Sequence, residues 1–343
     1  MPNRVTIKDV ASMAGVSYQT VSKVLNGTVS VTPETAQRIA EAAQALGYKP
    51  NQSARSLRSQ RTQMIGYSWR PAPTDETNPI LDQFLHGMIC AAEKLDYYLL
   101  FFPFDAPDDP VQHYRVLIDT GRIDGFIISG VEYDDPRVSY LQERKIPFVG
   151  FGRSREGIRF PWVDVDGGMG MLIAAQHLIA QGHKKIAALA WDKNSRVGND
   201  RLSGYFQAMQ DAGLPILEEW IVRDEGVYEL GYENTLKLMA LPESKRPTAI
   251  MALNDQMAVG AMFAIQSLGI KVGQQVAVTG FDGAPFARYT NPPLTTLQQP
   301  ASNIGKTVIE MLIQLCNGQK LENSTILMKP ELIVRQSSLK MSE

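Results

Sequence analysis

From residue 64 to about residue 300, short apolar runs alternate with longer amphipathic stretches. No other feature limits the possible folds so strongly. Met64–Trp69, Tyr98–Phe102, Ile123–Ser129, Phe148–Phe151, Lys185–Ala190, Ala249–Ala252 and Val276–Gly280 read as strands. Leu81–Leu95, Met169–Gln181, Arg201–Ala212 and Asp255–Leu268 read as helices between them. Strand–helix alternation over this length implies parallel sheets covered by helices on both faces. The stretch is too long for one compact doubly wound unit, so two similar lobes are expected. In open sheets of this kind ligands settle at the carboxyl ends of the strands. Polar and aromatic residues gather there: Trp69 and Arg70, Phe104 and Asp105, Arg153, Asn254 and Asp255, and Asp282. Arg201 offers a planar fork of donors, Asp282 accepts and Asn254 does both. Trp69, Phe104, Trp162 and Tyr228 are candidates to stack on the apolar face of a sugar ring, with plain core packing as the competing reading.

The first 48 residues have a different character. Ile7, Val10, Ala11 and Ala14 share one helical face, with Thr6 able to cap the start and Gly15 free to turn sharply. A second helix begins near Ser17 and turns Val21, Val24 and Leu25 inward. A third opens at Thr32-Pro33 and stops at Gly47. The outer face of the second helix carries Ser17, Tyr18, Gln19, Thr20, Ser22, Lys23 and Asn26. An ordinary surface helix prefers Glu, Lys, Gln and Ala. Short hydroxyls, amides and a phenol make directional hydrogen bonds instead, which suits reading base edges. Three short helices with a tight turn after the first make a helix-turn-helix head. Residues 49–61 are too polar for a core. Asn51 can cap one brief helix there, from Gln52 to about Leu57.

The net charge of −2 conceals a division. Residues 1–61 hold eight Lys and Arg against three acids, while the remainder holds 26 basic and 33 acidic residues. A small basic head on an acidic body fits a head that meets a polyanion. Cys90 and Cys316 are isolated, so neither a zinc site nor a disulfide framework is indicated. "MPNRVTIKDV" lacks the apolar stretch of a secretory signal, and "YYLLFFPF" is too short to span a bilayer. A cytoplasmic protein is expected. His86, His113, His177 and His183 are scattered, and no H-E-x-x-H, G-x-S-x-G or phosphate-loop motif occurs. The glycines of "GFGRSREG" miss the dinucleotide spacing. An enzyme is therefore the least favoured class, and no cofactor is expected. A transport-type sugar-binding protein without DNA function is the alternative that the body alone allows.

Five segments in order carry a family resemblance: "TIKDVASMAGVSYQTVSKVLNG", "VTPETAQRIAEAAQALGYKPNQSARSLRS", "NDRLSGYFQAM", "LNDQMAVGAMFAIQSLGI" and "VTGFDGAPFARYTNPPLTTLQQP". The chain resembles the LacI/GalR family of transcriptional regulators along essentially its whole length. The resemblance implies a helix-turn-helix head (1–48), a hinge helix (49–61) and a two-lobed core (62–340) like periplasmic sugar-binding proteins. Three crossovers would join the lobes, one at about 62–163 and 293–323, the other at 164–292 and 324–340. Tyr18 and Gln19 match the base-reading pair, and Gln19 suits adenine. Thr20, Ser22 and Asn26 match positions touching phosphates or base edges. Lys23 stands where lactose-type members have arginine. Thr6, Thr35 and Tyr48 match backbone-clamping positions, and Asn51 and Ala54 fall in the hinge segment. Leu57 matches a leucine that wedges into the minor groove. Arg201, Asp282 and Asn254 match recurrent effector contacts, and Tyr228 falls near an aromatic wall position. After "PFVGF" several members place an acid that touches the ligand, whereas this chain has Gly152 and Arg153. The resemblance thus implies a homodimeric repressor of a pseudo-palindromic operator, controlled by a small molecule of the mono- or disaccharide class.

Overall fold

A computed structural model describes residues 5–25, 31–48, 61–69, 78–103 and 109–339. The expected hinge helix with Asn51, Ala54 and Leu57 lies outside these residues, as do Asn26, Arg70, Phe104 and Asp105. The chain forms two compact units, residues 1–63 and 64–343.

The first unit contains α1 (Ile7–Ala14), α2 (Tyr18–Leu25) and α3 (Pro33–Ala45). The Thr6 backbone N–H and hydroxyl donate to the Asp9 carboxylate at 2.7 and 2.8 Å, which fixes the start of α1. Gly15 ends the helix in the left-handed conformation, φ 65°. Ser17 Oγ accepts from the Thr20 backbone at 3.1 Å and starts α2. Val10, Ala11, Ala14, Val21, Ile39 and Ala42 form a small core with the Tyr48 ring packed against it.

The second unit contains two six-stranded sheets. The chain runs through β1 (Met64–Trp69), α4 (Pro79–Lys94), β2 (Tyr98–Pro103), α5 (Gln112–Asp119), β3 (Gly125–Ser129), α6 (Pro136–Glu143), β4 (Phe148–Phe151) and β5 (Trp162–Val165). It crosses to α7 (Gly167–Ala180), β6 (Ile186–Ala190), α8 (Arg196–Asp211), β7 (Ile221–Arg223), α9 (Tyr228–Met239), β8 (Ala249–Ala252), α10 (Asp255–Ser267), β9 (Ala277–Asp282) and β10 (Thr295–Gln298). It returns through α11 (Ala301–Cys316) and β11 (Thr325–Met328), then ends in β12 (Glu331–Ile333). The first sheet has the order β11-β5-β4-β3-β1-β2, and all its pairs are parallel. The second has the order β12-β10-β9-β8-β6-β7, antiparallel only between β10 and β12. Central strands such as β6 and β8 are buried at every residue. Their unbroken apolar runs are the pattern of strands covered on both faces.

Strand pairing moves the expected lobe boundaries. β5 and β11 belong to the first sheet and β10 to the second. The crossovers therefore follow residues 165, 298 and 328, a few residues later than the expected 163, 292 and 323. β5, β7, β10, β11 and β12 are three or four residues long and each includes a charged, amide or hydroxyl residue, unlike the wholly apolar β4 and β8, so pairing decides their lobe.

Candidate functional site

In the head, Ser17 just before α2 and Tyr18, Gln19 and Lys23 on it are exposed, while Thr20 and Ser22 are half-buried. The hydroxyls of Ser17 and Thr20 lie 2.8 Å apart, and those of Thr32 and Thr35 2.9 Å apart. Thr6 and Thr35 thus secure helix starts, and half-buried Tyr48 packs on the head core.

A cavity of about 540 Å³ opens between the two sheets at the carboxyl ends of their strands. The second lobe supplies Trp191 after β6, the first turns of α8, Asn254 and Asp255 after β8, Asp282 at the end of β9 and Gln299 after β10. Close packing of helices sets the α8 side chains in place: a Cβ on Gly204 would collide with the Gly168 carbonyl of α7. Arg201 is 5% exposed. Its guanidinium stacks on Phe281 at 3.7 Å and faces Trp191 at 4.9 Å. It donates to the Leu253 carbonyl and lies 3.6 Å from Asp282 Oδ1. Asp282 has φ 129°, a conformation unfavourable for any residue but glycine, and such strain persists only where surrounding contacts hold it. Gln299 Nε2 donates to Asp282 Oδ1 at 2.7 Å.

Burial pushes the Asp282 carboxyl up to about 6, against the opposing pull of the Arg201 guanidinium. Burial and the neighbouring Asp282 charge raise Asp255 well above the ordinary carboxylate range. Asp255 accepts from Thr296 Oγ1 at 2.5 Å and the Ala284 backbone at 2.7 Å, so it is fixed within the protein. Asn254 lines the cavity, but its side chain also caps α10: Oδ1 accepts from Met257 N at 2.9 Å and Nδ2 donates to Gly226 O at 2.6 Å. One N–H and one lone pair remain for a ligand.

The first lobe contributes a different surface. Tyr67, Phe84 and Phe151 line it as a cluster, with centroids 5.9 Å apart for Tyr67–Phe84 and 4.8 Å for Phe84–Phe151. Ser129, which bonds the Tyr67 hydroxyl at 2.9 Å, completes this wall.

Arg201, Asn254 and Asp282 are thus brought together in the cavity. Trp162 and Tyr228 are not among its lining residues. Trp162 packs against the cluster of Phe102, Tyr114, Phe126, Phe148 and Phe160, because its strand turns it toward that core. Tyr228, at the start of α9, meets Phe263 edge-on at 6.0 Å on the outer side of α10. Arg153 stands outside the lining set, paired with Asp164 and Asp200. For Trp69 only the backbone is described. The sequence reading missed Trp191, Arg196, Asp200 and the Phe84–Phe151 pair. Trp191 directly follows a strand and Arg196 shares a helix with Arg201, so both had a usable signal. Phe84 lies inside a helix and had none. His177 bonds Ser338 Oγ at 2.8 Å and His183 bonds Thr248 Oγ1 at 3.0 Å, which makes both structural.

A helix-turn-helix head and a two-lobed, small-molecule-sized cleft together define a ligand-responsive DNA-binding regulator. Comparison with known proteins agrees. Residues 6–51 match the family of bacterial regulatory proteins, lacI family, and residues 175–338 match a periplasmic binding protein-like domain. The HTH-type transcriptional repressor PurR of Erwinia tasmaniensis is 34% identical over 337 residues, covering 97% of this chain and 96% of that protein. Among solved structures, a LacI-family regulatory protein from Chloroflexus aggregans is 47% identical, with TM-score 0.78, over 80% of this chain and 98% of that one. The lac repressor dimer bound to operator and the anti-inducer ONPF has TM-score 0.84 and 26% identity, over 98% and 100% of the two chains. A complex of the regulator CelR with cellobiose has TM-score 0.74 and 27% identity, over 97% and 100%. The chain belongs to the lacI family of bacterial regulatory proteins. It is an effector-responsive transcriptional regulator and not an enzyme. No helix among the described residues is long and apolar enough to cross a membrane.

Proposed function

We propose that this regulator is a homodimeric repressor whose cleft binds a mono- or disaccharide and whose two heads read a pseudo-palindromic operator. The observation that carries the ligand reading is the pairing of Arg201 with Asp282 opposite the Tyr67–Phe84–Phe151 cluster. A sugar hydroxyl both donates and accepts, so it can meet a donor-only guanidinium and an acceptor-only carboxylate at once. The C–H face of a sugar ring packs on aromatic rings. The cavity volume falls within the range of about 300–1,000 Å³ usual for small-molecule sites. The cellobiose complex of a similar fold supports the same class.

Dimerisation is supported by exposed apolar side chains on both lobes: Tyr98 and Phe101 on the edge strand β2, and Phe263 and Tyr289 on the second lobe. An apolar edge strand invites pairing with another chain. The exposed hydroxyl and amide groups of α2, with Lys23, are the groups we assign to the major groove. Ligand binding shifts the lobes, changes the spacing of the two hinge segments and releases DNA.

Thermal-shift screening and calorimetry with mono- and disaccharides, with purines as controls, test the ligand class. Binding of a saccharide that changes operator affinity is expected. Binding of purines alone would overturn the assignment. In the hinge, Leu57→Ala is expected to weaken specific operator binding and leave saccharide affinity unchanged. Equal operator affinity for both proteins would remove the wedge.

A further inference from the structure

Four polar contacts between the lobes converge on the first turns of α8. Arg196 Nη2 donates to Asp164 Oδ2 at 2.9 Å, and Arg153 Nη2 donates to Asp200 Oδ1 at 2.6 Å. The Arg196 backbone N–H donates to Glu132 Oε2 at 2.7 Å, and Asn199 Nδ2 donates to the Tyr133 hydroxyl at 3.0 Å. Glu132, Tyr133, Arg153 and Asp164 belong to the first lobe, and the α8 residues to the second. Arg153 Nε also lies 3.3 Å from Asp164 Oδ2. The charges therefore run Arg196–Asp164–Arg153–Asp200, alternating in sign and crossing between the lobes twice. The Arg153 guanidinium lies 5.9 Å from the Trp162 ring, which gives its plane a support.

We infer that Arg153 is an electrostatic strap: it ties the two lobes together beside the cleft, so that ionic strength helps set how readily the cleft opens. The inference rests on the reading of the cleft as the effector site and names a control on that site. Geometry and exposure favour it over an idle surface pair. Asp164 and Arg196 side chains are 7% exposed, and Arg153 and Asp200 about a quarter exposed. Pairs so placed are screened less than fully exposed ones. Without a cation at position 153, Asp200 would lose its ion-pair partner, and Asp164 would keep Arg196 and the Val165 backbone N–H. The strap also anchors the α8 backbone that carries Arg201, since Asp200 is its immediate neighbour. Arg196 Nε is buried without a partner at the cavity wall, which leaves one donor of the network for a ligand.

Amide hydrogen exchange on the ligand-free, full-length protein tests the strap, because the Arg196 N–H spans the lobes. Residues 194–200 are expected to exchange slowly at low salt and faster at about 1 M NaCl, where the Debye length falls to about 3 Å. R153Q should raise their exchange roughly two- to fivefold at low salt, the range a partly exposed pair provides, and should weaken the salt response, leaving the part that Arg196–Asp164 supplies. D200N should raise exchange by less, because it removes only the Arg153–Asp200 pair while R153Q also removes Arg153–Asp164, and the double variant should go little beyond R153Q. Unchanged protection of residues 186–190, in the second-lobe core, serves as the check on folding, and R153K should restore part of the effect. Wild-type exchange over 194–200 in R153Q and D200N, or exchange indifferent to salt in the wild type, overturns the strap. Saccharide binding by calorimetry is read separately, so failure of the effector reading would leave this result standing, and the reverse.

Discussion

The second lobe lines the cleft mainly with charged and amide groups beside Trp191 and Phe286, whereas the first lobe lines it mainly with aromatic and aliphatic side chains, Asn78 and Asp164 apart. On the second-lobe wall Arg201, Asp282, Asn254 and Gln299 present directional groups, and Gln299 and Arg201 hold Asp282 in a strained backbone conformation. On the first-lobe wall Tyr67, Phe84 and Phe151 present surface that is indifferent to the direction of a hydroxyl. The difference teaches how work is divided in a two-lobed site. A directional wall selects the pattern of donors and acceptors, and its failures are expensive because stranded buried groups lose their partners. An aromatic wall contributes contact area, and its failures are graded.

The largest expected effect lies on the directional wall. Arg201→Ala leaves Asp282 without its guanidinium and should cost about 1–3 kcal/mol of saccharide affinity, roughly 5- to 150-fold in Kd by calorimetry. A change under about twofold would show that the two walls do not differ in this way. The pH dependence comes next. Ligand hydroxyls donating to Asp282 favour its ionised form, so binding expels the proton that burial retains below about 6. Affinity should be level above that value and fall about tenfold by about pH 5. The ligand-free protein should show the opposite sense from this group. Its raised carboxyl holds a proton more tightly folded than unfolded, so the contribution to stability grows as pH falls from above 6 toward the ordinary carboxylate range. Affinity flat across this window would mean that Asp282 makes no such contact. On the aromatic wall, Phe151→Ala should weaken binding by only about 1 kcal/mol, about fivefold, without changing the ranking of saccharides. A changed ranking would show that the first lobe also selects.

The same division explains what could be read from the residues. The head was legible because its signals are local: the Thr6 start, the Gly15 turn and the Thr32-Pro33 start lie within a few residues of the helices they define. The directional wall was legible in Asn254 and Asp282, since polar groups just past an apolar run stand out, and in Arg201, inside α8, through the family resemblance. The aromatic wall was not. Phe84 and Phe151 sit inside a helix and a strand, where an apolar residue gives no sign of facing a cavity. Trp162 and Tyr228 looked equally suitable and pack elsewhere, because orientation depends on strand register and helix rotation rather than on residue type. The strap was half legible. Arg153 stood out as an unexpected cation, but its partners Asp164 and Asp200 are joined to it only by the meeting of the lobes.

The central claim is that occupancy of this cleft governs how tightly the α2 face is held on DNA. Footprinting of the full-length protein on genomic fragments at low ionic strength, with and without the saccharide that calorimetry identifies, tests it most directly. A protected pseudo-palindrome is expected, with half-sites about one helical turn apart and protection that weakens with saccharide. Protection that the saccharide leaves unaltered, or no protected site at all, would contradict it.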